Sequence, residues 1–492
     1  MDERDEGHEW AVEEFSAARL GDARRVKRLV VMAKGAMNRP AGQVTAVYSE
    51  LAEREGAFRL IENAAVSHEE IARAAHRACA KRAAVDDFAF VGVDGTSLNI
   101  TDTRKKKGLG IVGTRYVGAS GVQVMTAFAV SPTGVPLGLC GQKYWARIKR
   151  SSRKSKDKHD SRPLEAKETY KWIEVMNQVR GAFSEEAPRT KPWFQLDRGG
   201  DAWPIILDGL REGELFTVRA EYDRRLTKET KDEPRRHLRE RLETCAILGH
   251  KMLVIPAKPG IRTSQGKKRP PRHARTADIE LRACELSLDM VVDTRTRKSI
   301  ASPKLYALLA RETTKSAGGE TPIEWMLLTS YPVHDEKSAE LVLFGYAQRW
   351  RIEEFHKSWK SGACKVEDTQ LRDLDHILRW ATVLASVAAR ILRMSYLARE
   401  EPGLSSLQEF SRAEVDAIVV ASKSKKHHPG TTPPLGTLVE LLGRVGGYIG
   451  RSSGGPPGAL VLARGLLTIE ALALALESGL VELSRGKRRS DQ

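Results

Sequence analysis

Hydrophobic positions along the chain alternate between helical and strand spacing in a definite order. Residues 1–85 are helical in pattern, rich in Ala and Arg and poor in strand formers. Within them Leu20-Gly-Asp22-Ala reads as a helix start capped by Asp22. Glu53-Arg-Glu-Gly56-Ala-Phe58-Arg59 marks a second helix, and Ser67-His-Glu-Glu opens a third with a Ser cap. Residues 86–222 turn β-rich. Phe88-Ala-Phe-Val-Gly-Val-Asp94 and Trp193-Phe-Gln-Leu-Asp197 are nearly unbroken apolar runs, each ending in an aspartate, as expected of strands buried on both faces. Gln123–Val130 and Leu215–Arg219 are further strands. Between them the basic run 147–158 is too polar to pack. In 223–330, strand-like runs begin at Lys251, Ile279, Lys304 and Glu324, separated by Gly-, Pro- and Lys-rich turns. Residues 331–395 carry one helix, Tyr346–Lys360. Residues 396–492 are again helical, interrupted by Ser422–Gly430 and Ser452–Gly458, and end in a basic tail.

The most specific pattern lies in Tyr346-Ala-Gln-Arg349-Trp-Arg-Ile-Glu353-Glu-Phe-His-Lys357-Ser-Trp-Lys360. On a helix at about 100° per residue, Tyr346, Arg349, Glu353, Lys357 and Lys360 share a stripe roughly 80° wide. Phe344, Ile352, Phe355 and Trp359 fall opposite, so one face is apolar and buriable. The polar face offers one carboxylate among two ammonium groups, a guanidinium and a phenol. A carboxylate suits a hard cation and the basic groups suit phosphates; a solvated face of mixed charge has the same spacing. An aspartate at the mouth of a buried strand has a rigid base with open space before it, which a magnesium site needs, although a turn or helix cap uses the same residue.

Composition points the same way. Lys plus Arg number 81 against 64 Asp plus Glu, a net charge of +17. That excess favours a polyanionic partner, nucleic acid before an anionic membrane. The polar start is unlike a signal peptide, the apolar stretch 381–392 is too short to span a bilayer, and 459–477 is broken by Arg464 and Glu470. The five cysteines have neither zinc spacing nor a dense disulfide pattern, and read as reduced thiols. Gly108-Leu-Gly110-Ile-Val-Gly113 formally matches a dinucleotide-binding fingerprint. It follows a lysine run rather than a strand and lacks the βαβ setting.

The spacing Tyr-x2-Arg-x3-Glu-x6-Lys resembles the signature of bacterial DDE transposases of the IS-four type, and Arg349–Gly362 is similar to the corresponding run of Tn-five-like transposases. The resemblance implies an α/β fold: an RNase H-like catalytic core in two parts (86–222 and 331–395) around a mainly β insertion (223–330). An N-terminal helical DNA-end-binding domain (1–85) and a C-terminal helical domain with a dimer contact (396–492) flank it. It implies that Asp94, Asp197 and Glu353 are the catalytic acids and hold Mg, with Mn as substitute. Arg198 and Asp201 match the family's Asp-Arg-x-x-Asp run, whereas Gly199 stands where the family often has Glu. Tyr346, Arg349, Lys357, Lys360 and Arg219 would contact DNA near the cut. Trp325 would stack on a flipped base, and Arg25 and Arg28 would touch end DNA. The implied activity is cut-and-paste transposition. Transposon ends are nicked, passed through a hairpin and joined to target DNA by a homodimer, in the bacterial cytoplasm and at the nucleoid when bound. A nuclease without strand transfer predicts the same three acids. A silent DNA-binding inhibitor does not require them.

Overall fold

The computed structural model describes residues 9–113, 119–147, 163–228, 236–255, 271–291, 300–314, 320–450 and 455–481, with 232, 234, 257, 260–262 and 268–269. Its centre is a mixed sheet. Phe88–Asn99 sends Phe90 and Leu98 into the core on one face and Ala89, Val91 and Val93 into a second core on the other. With both faces covered, hydrophobic residues need not alternate with polar ones, hence the continuous apolar run. This strand pairs antiparallel with Ser120–Val130 and parallel with Lys191–Leu196, which in turn pairs parallel with Leu215–Arg219. Pro136–Trp145 extends the antiparallel side.

Residues 223–330 do not stand apart as a separate β layer. Glu324–Thr329 pairs antiparallel with Leu215–Arg219, and Lys304–Glu312, Arg275–Ser287 and Ile247–Ile255 follow in order, making one ten-stranded sheet. Burial explains the continuity. Leu281, Leu308 and Leu327 share a core with Phe90 and Trp193, while Ala307, Leu309 and Leu328 share the opposite one with Val91 and Phe216.

Helix Leu374–Glu400, capped by Asp373, ties the ends of the chain to the sheet. Its Trp380 Nε1 donates to the Gly42 carbonyl at 2.7 Å, and the buried Arg379 guanidinium donates to the carbonyls of Val66 and Ile61 at 2.5 and 2.7 Å. Such bonds make a buried charge tolerable. The N-terminal helices Trp10–Phe15, Ala23–Asn38, Val44–Val47, Leu51–Ile61 and His68–Ala83 pack here, the second and last capped by Asp22 and Ser67. The C-terminal helices are Arg412–Ala421, Leu435–Val445 and Ala459–Glu477.

Two helices are long and apolar enough to cross a membrane by length and composition. Leu374–Glu400 is far longer than the apolar core 381–392, and 89% of its most apolar window is buried inside the protein. It is a core helix. Ala459–Glu477 buries only 33% of its window and exposes Leu460, Leu467 and Leu474. Of the basic run 147–158, Arg147 bonds Glu168. Residues 148–158 lie outside the described residues, as do 452–454 and the tail beyond 481.

Candidate active site

Val93 pairs with Leu196 across two parallel strands, so Asp94 and Asp197 are the next residues on neighbouring chains. Adjacent strands run about 4.8 Å apart, which sets the two carboxylates side by side. Asp94 does not end its strand as the sequence suggests. The strand continues to Asn99 against Ser120–Val130, and it is the parallel neighbour that stops at Leu196. Asp94 therefore lies mid-strand, where one flank of the sheet opens. Its Oδ1 accepts from Gly95 N at 2.7 Å. Asp197 caps the following turn, accepting from Gly199 N at 2.8 Å.

The Tyr346–Lys360 stretch is two helices, not one. Glu336–Gln348 and Trp350–Lys360 meet at Arg349, whose N–H bonds back to the Tyr346 carbonyl at 3.2 Å in a tighter turn. The break changes the stripe expected from a single helix. Tyr346 is buried rather than solvent-facing, its ring edge-on to Trp325 with centroids 5.1 Å apart. Phe344, expected on the buried side, is 40% exposed. Ile352, Phe355 and Trp359 are fully buried, and Phe355 stacks between Phe128 and Trp359. The approach of the first helix to the sheet depends on Gly345, since a Cβ there would lie 2.4 Å from the Phe90 ring. Glu353 sits in the first turn of the second helix and Lys357 and Lys360 in the last, the arrangement the helix dipole favours.

Arg349 links the acids. It donates to Asp94 Oδ2 at 3.1 Å and to Glu353 Oε1 at 2.8 Å. Burial and the neighbouring Asp197 charge push the Asp94 pKa up to about 6, against the pull of Arg349. Burial works against the charge on Arg349, but Tyr346, Glu353 and Asp94 outweigh it and raise its pKa. Three carboxylates are hard oxygen donors of the kind magnesium takes, so the donor set fits such an ion in kind. Among the described residues, though, no three potential ligands are gathered closely enough to hold one, and a guanidinium spans two of these acids.

The other candidates divide. Lys360 Nζ lies 3.3 Å from Thr96 Oγ1 and 3.6 Å from Glu367 on the edge of this group, and Lys357 is exposed. Arg219 donates to the Glu324 carbonyl at 3.2 Å beside Trp325. Arg25 and Arg28 lie on helix Ala23–Asn38. Arg25 donates to the Leu20 carbonyl at 2.8 Å, and Arg28 lies over Gly56. Asp201 is structural here: it accepts from the backbone N–H of Glu221 and Tyr222 and pairs with Arg224, fixing the loop after Leu215–Arg219. Sequence reasoning passed over Thr96 and Arg224. No spacing announces Arg224, because it meets Asp201 only after the chain has turned back.

The raised Asp94 pKa carries a stability cost. The folded state prefers the protonated form, so the penalty is absent below about pH 4 and complete above about pH 6–7. Asp94→Asn in DNA-free, metal-free protein is expected to gain about 1–3 kcal/mol at pH ~7.5 and nothing near pH ~4. Denaturant melts of both proteins at the two pH values measure this.

A mixed sheet flanked by helices, with an N-terminal helical bundle packed on it, fits an α/β RNase H-like core. The chain belongs to the DDE transposase family: the transposase DDE domain model matches residues 143–389 and the transposase DNA-binding model matches 7–66. It is a DNA transposase. The DDE match contains Asp197 and Glu353, while Asp94 lies before it.

Proposed function

We propose that this transposase is of the IS-four, Tn-five-like type. In this reading it cuts out a DNA element at its inverted-repeat ends and joins the 3′ ends to target DNA, with Asp94, Asp197 and Glu353 as the catalytic acids. The observation that carries this reading is the adjacency of Asp94 and Asp197 across parallel strands, joined to Glu353 through Arg349. Magnesium, or manganese in its place, would activate the attacking oxygen and stabilise the leaving oxygen at phosphorus. The chain's own residues orient the reaction. The rigid strands fix Asp94 and Asp197, and the buried Ile352, Phe355 and Trp359 fix the helix bearing Glu353. Arg349 offers a planar fork for a phosphate, with Lys357 and Lys360 supplying point charges along the same helix. Arg219 lies at the Trp325 end of this row. Arg25 and Arg28 would read the end DNA at a distance from the chemistry.

The protein acts in the bacterial cytoplasm, on the nucleoid when bound, as a homodimer that pairs two ends. The exposed Leu460, Leu467 and Leu474, seven residues apart on Ala459–Glu477, supply an apolar stripe for the contact.

Trp325 separates a hairpin-forming transposase from a plain nuclease. The indole is only partly buried, and its neighbour is Tyr346 at the active site. A flipped base loses a few kcal/mol of stacking, and an aromatic platform restores about 1–3 kcal/mol. Trp325→Ala is expected to leave first-strand nicking nearly unchanged and to slow hairpin formation about tenfold. Arg349→Ala is expected to impair both steps. A time course on labelled end DNA, resolved on a denaturing gel, separates the products. Wild-type protein that forms no hairpin would remove this part of the reading.

A further inference from the structure

Arg349 is placed where a phosphate-binding group would not need to be. Its guanidinium is turned inward, bridging Asp94 at 3.1 Å and Glu353 at 2.8 Å, with its side chain 11% exposed. Lys360 instead meets Thr96 and Glu367 at the rim, and Lys357 faces solvent. The acids face a simple electrostatic problem. Asp94 stands on the central strand, Asp197 follows the end of its parallel neighbour, and the charges of both Asp197 and Glu353 act on the partly desolvated Asp94. Like charges so placed repel strongly, and a cation between them lowers the cost. In DNA-free protein that cation is the side chain at the N-cap of the helix bearing Glu353.

The backbone suits a side chain with two positions. Arg349 is the junction residue between two helices, and its Cα passes close to Gly92 on the central strand. At this contact the strand presents a glycine, so residue 92 sets no side chain against the arginine stem. The ring of Trp350 lies 5.8 Å from the guanidinium, on the surface side, and Trp350 is itself 45% exposed.

We propose that Arg349 is an internal counter-ion that holds the gap between Asp94 and Glu353 in DNA-free protein and releases it to a divalent cation when a DNA phosphate takes the guanidinium. Metal and DNA then bind cooperatively through one side chain, and the acids are not left primed for metal-dependent cutting away from DNA. The inference rests on the reading of Asp94, Asp197 and Glu353 as the metal-binding acids. Arg349 is here a positioning residue for those acids in one state and a phosphate contact in the other.

The test is manganese binding, followed by the free-Mn²⁺ electron paramagnetic resonance signal in full-length protein, with no cleavage required. Arg349→Gln removes the charge and keeps a polar side chain. It is expected to bind Mn²⁺ about tenfold more tightly than wild type without DNA, within the usual range of coupling between two sites. A short duplex, with a duplex-only blank subtracted, is expected to raise wild-type affinity by a similar factor and to leave Arg349→Gln nearly unchanged, since its gap is already free. Arg349→Lys keeps the charge, but one ammonium cannot span two carboxylates as a fork does, so its affinity is expected between the two. It also serves if the Gln variant fails to fold, as judged by its melting curve.

Equal Mn²⁺ affinity in wild type and both variants, with binding still lost on adding Asp94→Asn, would overturn the counter-ion role and leave the acids as the metal site. An equal gain from the duplex in wild type and in Arg349→Gln would overturn the coupling. Mn²⁺ binding unaffected by Asp94→Asn in either background would overturn the metal-site reading as well.

Discussion

Asp94→Asn, Asp197→Asn and Glu353→Gln are each expected to lower cleavage of end DNA by at least about 10²–10³-fold, the scale set by removing one preorganised charge from a reaction centre. Binding to the same DNA should stay within a few-fold of wild type. The separation follows from position. Asp94 stands on a buried strand, Asp197 just past the end of its neighbour and Glu353 on a packed helix, whereas Arg25 and Arg28 occupy a helix of the N-terminal group. Parallel gel-shift and nicking assays in magnesium and in manganese measure both quantities. Glu353→Gln keeps the length and hydrogen-bonding reach of the side chain, so its failure to cut would report lost charge rather than lost packing. Substantial cleavage by any one variant would remove that residue from the catalytic set.

The second large effect is on salt dependence. With a net charge of +17, binding to duplex of arbitrary sequence should weaken by roughly 10³-fold between about 50 and 200 mM salt if about six phosphates are neutralised. Affinity measured across that range gives the slope, and hence the number of phosphates, directly. The slope also apportions the contacts. Removing Lys357 or Arg28, both exposed, should lower it by close to one each, if each meets a phosphate. A flat dependence would mean that the charge excess serves something other than DNA.

Much of this architecture is legible in the residues because strong local patterns and tertiary packing agree. Phe88–Val93 and Trp193–Leu196 read as strands covered on both faces, and that is where they lie. Asp22 and Ser67 announce helix starts through side chains that satisfy free backbone N–H groups, and both make those bonds. The strands starting near Lys251, Ile279, Lys304 and Glu324 were readable one by one. Their joining to the core sheet was not, because pairing across Leu215–Arg219 and Glu324–Thr329 brings together residues 108 to 112 positions apart. The helix wheel failed at Arg349 for a related reason. A wheel assumes one axis, and a single tighter turn there buried Tyr346 and exposed Phe344 without any Pro or Gly at the junction to signal it. Three acids could be picked out from strand ends and a motif. The guanidinium between two of them could not, since spacing says which side chains share a face but not what lies opposite.

In the proposed function one centre, built from Asp94, Asp197 and Glu353, both cuts element ends and joins them to new DNA. The most direct measurement incubates purified protein with labelled duplex carrying the DNA that borders its own coding region, together with supercoiled plasmid and magnesium. Labelled 3′ ends are expected to become covalently attached to plasmid with wild-type protein, with no attachment for Asp197→Asn. Cut ends that accumulate with no joined product would contradict it and leave a nuclease in its place.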